Sequence, residues 1–386
     1  MNSTTKYSLK EQFLLDPSVV YLNHGSFGAT PQPVFDCYQN WQRELEKQPT
    51  EFLGRRANGL LAESRKALAQ YLGTTGEKLA YVVNATYGIN VVARSLSLSS
   101  GDEVLATDHE YGAMDYTWQF LSQRHGFKYI NQPISLPVTD PQTFVDQLWA
   151  GVTPRTKVIF LSHITSPTAL VFPVKEVCQR ARAQGIMTVV DGAHAPGQIP
   201  LALDELGADF YTGNLHKWLC APKGAGILYA RAEVMEMIDP LVVSWGFHSD
   251  PPGQSRLVDY VEMQGTRDIA AFLSVPEAIK FQQANHWDQV WNECHERVID
   301  TVQRIADLSG MQPISPLTTE WIGQMASAPL PSSVNVSELH TRLYDKYRIE
   351  IPVLEWHGRN FIRCSIQAYN TQEDADALVQ ALKESL

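Results

Sequence analysis

The chain has 386 residues, 44% of them hydrophobic and 19% charged, the make-up of a globular protein large enough for two or three domains. Its 42 acidic and 31 basic residues leave a formal charge of −11, which argues against a nucleic-acid or membrane surface but not against a local basic pocket for an anion. Five widely spaced cysteines (Cys37, Cys178, Cys220, Cys294, Cys364) show neither metal-ligand spacing nor a disulfide framework and fit a reducing, cytoplasmic setting.

At the start of the chain, MNSTTKYSLKEQF lacks the basic start and apolar core of a signal peptide, and no apolar run anywhere approaches the ~18 residues needed to span a bilayer. Residues 58–72 place Leu61, Leu68 and Leu72 near one helix face, with Gly73 as a stop. The strand pattern KLAYVVN (78–84) follows, then a helix opening near Thr86, the strand DEVLAT (102–107), a helix over about 113–125 and the strand FKYINQ (127–132). After a helix near 141–150 come KVIFLSHI (157–164), a helix from about Val174 to Gly185, and MTVVD (187–191). ADFYTG (208–213) and GAGILYA (224–230) complete the set. Several of these runs are apolar on both faces, as in a sheet covered by helices, so the pattern predicts an α/β fold with a mostly parallel seven-stranded sheet over about 50–250.

Beyond Trp245, WGFHSDPPGQSR (245–256) predicts a loop, and two long helical patterns run from about 268 to 308. PSSVNVS, EIPVLEW and NFIRCSIQAY predict strands, with helices near 337–347 and 371–385. The expected division is a large α/β domain, residues 20–255, and a small α+β domain, residues 256–386, joined by the N-terminal segment 1–19.

The chemistry concentrates at the ends of two apolar runs. MTVV leads into Asp191-Gly-Ala-His194, and ADFYTG leads into Asn214-Leu-His216-Lys217-Trp218. A carboxylate and an amine at the ends of neighbouring strands can grip one flat cationic ring. The amine holds it as a Schiff base, and the carboxylate keeps its ring nitrogen protonated. That is how a protein turns pyridoxal phosphate into an electron sink. The apolar setting of Lys217 favours a free amine, and His194 either bonds the cofactor's phenolic oxygen or packs in the turn. Asn84-Ala85-Thr86 lies at a strand-to-helix junction, where backbone N–H groups and a hydroxyl make a phosphate site and His216 could add a donor. In Asp108-His109-Glu110-Tyr111, either aromatic ring could stack on the cofactor. Arg363 sits inside an apolar strand, where it needs either a substrate carboxylate or an internal acid.

Seven segments in order, YLNHGSFGATP (21–31), NATYGIN (84–90), DHEYGA (108–113), DGAHA (191–195), GNLHKWLCAPKG (213–224), QGTRDIAAFLSVPEAI (264–279) and FIRCSIQAYNT (361–371), together resemble the class V aminotransferase branch of the fold type I pyridoxal-phosphate enzymes, most of all the isopenicillin N epimerase-like proteins. The resemblance implies that Lys217 is the Schiff-base lysine, Asp191 the pyridinium partner and His194 a neighbour of the phenolic oxygen. It implies that Ala85, Thr86, Asn214 and His216 surround the phosphate. It places Tyr111 at the ring-stacking position, with His109 the alternative, and Arg363 at the substrate carboxylate, with Asn23 also at the substrate. It further implies a homodimer with sites at the interface, where Thr266 reaches the neighbouring subunit's phosphate. The implied reaction is epimerase-like at the Cα of an amino acid; a C–S lyase or desulfurase-like reaction, transamination, or a cofactor-binding regulator or scaffold are the alternatives. One departure stands out: EIPVLEWHGRNFI (350–362), where cysteine desulfurases carry a nucleophilic cysteine, has none, and Cys364 should point away from Arg363.

Overall fold

The computed structural model describes residues 9–250 and 252–386. Its main feature is a seven-stranded sheet built from β2 (Leu79–Val82), β3 (Glu103–Thr107), β4 (Lys128–Gln132), β5 (Thr156–Ser162), β6 (Met187–Gly192), β7 (Phe210–Asn214) and β8 (Gly226–Ala230), in the order β2-β8-β7-β6-β5-β3-β4. Five strands, β7-β6-β5-β3-β4, run parallel, and β8 is antiparallel to both of its neighbours. All seven strands expected from the sequence are present.

Strand alternation explains the two-sided burial. Val104, Phe160, Val189 and Phe210 enter one apolar layer with Ile89 and Trp118, while Leu105, Leu161, Val190 and Tyr211 enter the layer on the other face. Because β3, β5, β6 and β7 are parallel, Thr107, Ser162, Asp191 and Asn214 all end at one edge of the sheet. The chain order reverses between β3 and β5, the kind of switch point at which open α/β sheets bind their ligands.

A three-stranded antiparallel sheet of β9 (Met325–Leu330), β11 (Val353–Trp356) and β12 (Arg359–Ser365) lies in the C-terminal third, and β1 (Val20–Tyr21) pairs in parallel with β10 (Ile349–Glu350). The N-terminal segment joins this region: Leu9 N–H donates to Ala368 O (3.3 Å), and Phe13 sets its ring 4.9 Å from that of Tyr369. Residues 1–8 of the expected 1–19 junction lie outside the described residues.

Two expectations are corrected, and one helix was not expected at all. PSSVNVS is not a strand: Pro331 ends β9 and cannot donate to a ladder, and Asn335 caps the helix Val336–Tyr347 by accepting from Glu338 N–H (3.1 Å). Part of the segment expected in the small domain, residues 256–273, packs at the β2 end of the large sheet. Glu262, on the helix Arg256–Glu262, accepts from Tyr81 N–H (2.7 Å) and from Arg65 (2.5 Å), and Phe272 stacks on Tyr81 at 4.8 Å. The helix Gln32–Lys47 had no counterpart in the expected elements.

Candidate active site

Lys217 lies in the turn that carries the chain from β7 to β8. The carbonyl of Lys217 accepts from Cys220 N–H (3.0 Å) and from His24 Nε2 (2.9 Å), and His24 Nδ1 is met by the Tyr369 hydroxyl at 3.0 Å. Gly28 presses on the same turn. At φ +71°, a Cβ there would stand 2.0 Å from His216 O and 2.9 Å from the Lys217 Cα, so only glycine fits. The N-terminal YLNHGSFGATP segment is therefore a clamp on the lysine turn, a role the sequence reading missed. Its signal was a histidine and two glycines set in an apolar context.

The Lys217 amine is 3.2 Å from His194 Nε2. Burial pushes the amine down to about 7, and the nearby Arg363 cation adds to this, while Asp191 opposes it. Asp191, buried at the C-terminal end of β6, accepts from Ala193 N–H (2.9 Å) through one oxygen and leaves the other open. Burial raises its pKa, with Ala193 and Lys217 opposing. In the sheet Asp191 is flanked by Ser162 and by Thr212, whose buried hydroxyl has no partner. Ser162 N–H and hydroxyl both donate to Glu110 (2.8 and 2.6 Å), a buried carboxyl pushed up to about 8 by burial, with Asp191 adding and the Ser162 and Thr107 bonds opposing. Glu110, beside Tyr111 in the sequence, was passed over; only the pairing of β3, β5 and β6 brings it next to Asp191.

At the corner expected to take a phosphate, the strand ends gather the expected residues, but these do different work. Asn214 Oδ1 accepts from Ala85 N–H (2.8 Å) and Asn84 Oδ1 from Tyr87 N–H (2.8 Å), so both asparagines brace the first turn of the helix Ala85–Ser95. The N–H and hydroxyl of Thr86 are left over at that helix start. His216 Nδ1 donates to Ala225 O (3.0 Å), so the neutral ring shows a bare Nε2 acceptor. Burial holds its pKa at about 4, and donation to a phosphate requires that the anion supply a counter-charge.

Arg363 is 5% exposed. Its Nη1 donates to the carbonyl (2.7 Å) and hydroxyl (3.1 Å) of Ser166, and its Nη2 to the Ser26 hydroxyl (3.1 Å). Its Nε has no partner, and among the described residues no carboxylate pairs with it. The internal-acid alternative is thereby removed. Burial lowers its pKa to about 10, with Tyr111 close enough to oppose. Asn23 is held in place: Oδ1 accepts from Ser26 and one Nδ2 hydrogen goes to Glu350 (2.9 Å), so it braces the serine that holds the arginine.

Tyr111 is half exposed and makes no side-chain hydrogen bond, open for a flat ligand. His109 is not: it is fully buried, bonded through Nδ1 to the Thr168 hydroxyl (2.8 Å) and through Nε2 to Ile134 O (3.1 Å), and set 4.4 Å from the Trp356 ring. The alternative stacking residue is corrected on that ground. Thr266 is exposed and stands apart from this cluster, lining a cavity of about 900 Å³ with Arg65, Trp245 and Arg267.

A model of the class-V aminotransferase family matches residues 20–378. The chain is 36% identical to an isopenicillin N epimerase of Amycolatopsis lactamdurans over all of this chain and 99% of that one, and 27% identical to an L-cysteine desulfhydrase of Arabidopsis thaliana over 95% and 87%. Among solved structures, a C-DES mutant with glycine covalently linked to the PLP cofactor superposes with a TM-score of 0.87 at 22% identity, over 98% of this chain and 99% of that one.

Proposed function

The chain belongs to the class-V aminotransferase family, and on that premise we propose that it is a pyridoxal-phosphate enzyme acting at the Cα of an amino acid, with epimerisation as its reaction. The observation that carries this reading is one cluster that sets together a lysine with its pKa pushed down to about 7, a buried aspartate with a free oxygen and a buried arginine with no carboxylate partner.

The residues present fit the cofactor. Lys217 is the amine for its aldehyde, and Asp191 the acid for its ring nitrogen. Thr86 at a helix start, with His216, suits its phosphate, and Tyr111 is free to cover its face. When bound, the cofactor supplies a sink for negative charge developed at Cα. The chain does the rest. Arg363 grips the substrate α-carboxylate through its unused Nε and Nη2 hydrogens and so fixes which Cα bond faces the cluster. Lys217 Nζ, whose pKa burial pushes down to about 7 so that a large share is the free amine at neutral pH, takes the Cα proton. Asp191 stays anionic against a positive ring nitrogen, and the low dielectric around it strengthens that pairing. Inversion further needs a proton delivered to the opposite face, where Tyr111 is the exposed hydroxyl. Persulfide transfer finds no support: Cys364, on β12, is fully buried, and residues 350–362 ahead of Arg363 contain no cysteine.

A homodimer with shared sites belongs to the same reading. Exposed Thr266 sits at a cavity bordered by Trp245, 86% exposed, and an apolar residue that open seeks cover. A cytoplasmic setting is supported by five unpaired cysteines, and among the described residues no helix is long and apolar enough to cross a membrane.

Adding the cofactor should produce an imine absorbance band in the wild type and none in Lys217→Ala; a colourless wild type would remove the reading. Incubation with L-amino acids in D₂O should then give Cα-deuterated D-enantiomer. Keto acid would redirect the assignment to transamination, and released sulfide to C–S cleavage.

A further inference from the structure

We propose that Trp218 is a positioning residue: its indole N–H fixes His194 as the neutral tautomer protonated on Nε2, and that proton faces Lys217 Nζ and keeps the amine unprotonated. The inference rests on the reading of Lys217 as the amine that captures the cofactor aldehyde.

The argument is one of donors and acceptors. Trp218 Nε1 lies 3.3 Å from His194 Nδ1, and both side chains are buried. An indole N–H can only donate, so His194 Nδ1 must be an unprotonated acceptor. A neutral imidazole with bare Nδ1 carries its hydrogen on Nε2, and Nε2 is the atom 3.2 Å from Lys217 Nζ. A hydrogen pointing at Nζ meets a lone pair on a free amine but a repelling hydrogen on an ammonium. Without Trp218 the ring could turn its lone pair to Nζ and accept from an ammonium, favouring the charged lysine.

The charges around the pair agree with this assignment. His194 is faced by Lys217 on its own turn, by Arg363 of β12 and by His24 of the N-terminal segment. With burial, all three hold it below the ordinary histidine range. Lys217 is faced by Arg363, by the opposing Asp191 and by His194. Gly25 lies beside the ring, where an added Cβ would stand at ordinary contact distance, 3.6 Å, from His194 Cε1. No residue supplies a competing acceptor for the indole N–H, so the tautomer is set by a group that has no other state.

Two measurements test the proposal. In the cofactor-free protein labelled with [¹⁵N]histidine, the ring assigned by its loss in His194→Gln should show bare Nδ1 and protonated Nε2, unchanged from pH 8 to pH 5. Protonated Nδ1, or a ring that titrates in that range, overturns the proposal without any variant of Trp218. In Trp218→Phe, which keeps an aromatic ring but lacks the donor, the pH midpoint for imine formation should rise by about one unit, making capture roughly fivefold slower at pH 7. An unmoved midpoint overturns it. A wild type that forms no imine instead fails the functional reading, while the nitrogen spectrum still reports the tautomer.

Discussion

Arg363 keeps a buried charge on neutral oxygens alone, a costly state unless a ligand completes it. Arg363→Ala should therefore raise KM for α-amino acids by roughly 30- to 150-fold, the 2–3 kcal/mol of a charge-assisted pair, while the imine band survives. An unchanged KM would strip the arginine of its role. Ser26→Ala, which frees one guanidinium arm, should show the same split at a few-fold level. The residue types at 191, 194, 217 and 363 could be picked out from their strand-end and in-strand positions. Those at 24, 26 and 110 could not, because each acts through partners far away in the chain: His24 through Lys217 and Tyr369, Ser26 through Arg363, and Glu110 through Ser162.

Between elements, the decisive contact is the N-terminal clamp on the β7–β8 turn. Gly28→Ala puts a methyl group into the His216 carbonyl at a positive φ. It should cost roughly 3 kcal/mol or more and displace Lys217. The expected readouts are a lowered Tm and loss of the imine band together; a fully coloured, stable variant would contradict the clamp. The strands of the large sheet were readable because both faces are apolar. PSSVNVS misled because its alternation is strand-like while Pro331 and Asn335 serve to stop a strand and cap a helix. The helix Arg256–Glu262 escaped because its Ser255 cap, accepting from Val258 N–H, is hidden behind a Pro- and Gly-rich stretch.

At the scale of the whole molecule, five histidines among the described residues are held neutral, four of them buried and His216 partly buried. His109, His163 and His216 are pushed down to about 4, His24 to about 3, and His194 well below its usual range, each chiefly by burial. Below pH 6.5 the unfolded chain binds these protons first, so stability is lost as pH falls from 6.5 toward 4. Glu110, Glu262 and Asp191, raised by burial, act in the opposite sense, since the folded state holds their protons longer as pH rises. Five rings against three carboxyls leaves a net acid lability. Thermal scans should show Tm dropping over that window, and His163→Gln should flatten the drop by at most about 3 kcal/mol; an identical slope would count against it. The proposed dimer makes a second prediction at this scale. Thr266→Ala should speed cofactor loss in the dimer, whereas a monomeric, fully active wild type would contradict the shared site.

The sequence by itself determined the layered α/β plan, the seven strands and the lysine–aspartate pair, because strand periodicity and strand-end chemistry are local properties. Only the tertiary structure decided which aromatic stays open to a ligand, that Arg363 has no internal acid, and that an N-terminal histidine and glycine hold the lysine turn. Those depend on where distant segments meet, and hydrogen-bond partners hundreds of residues apart leave no periodic trace in the chain.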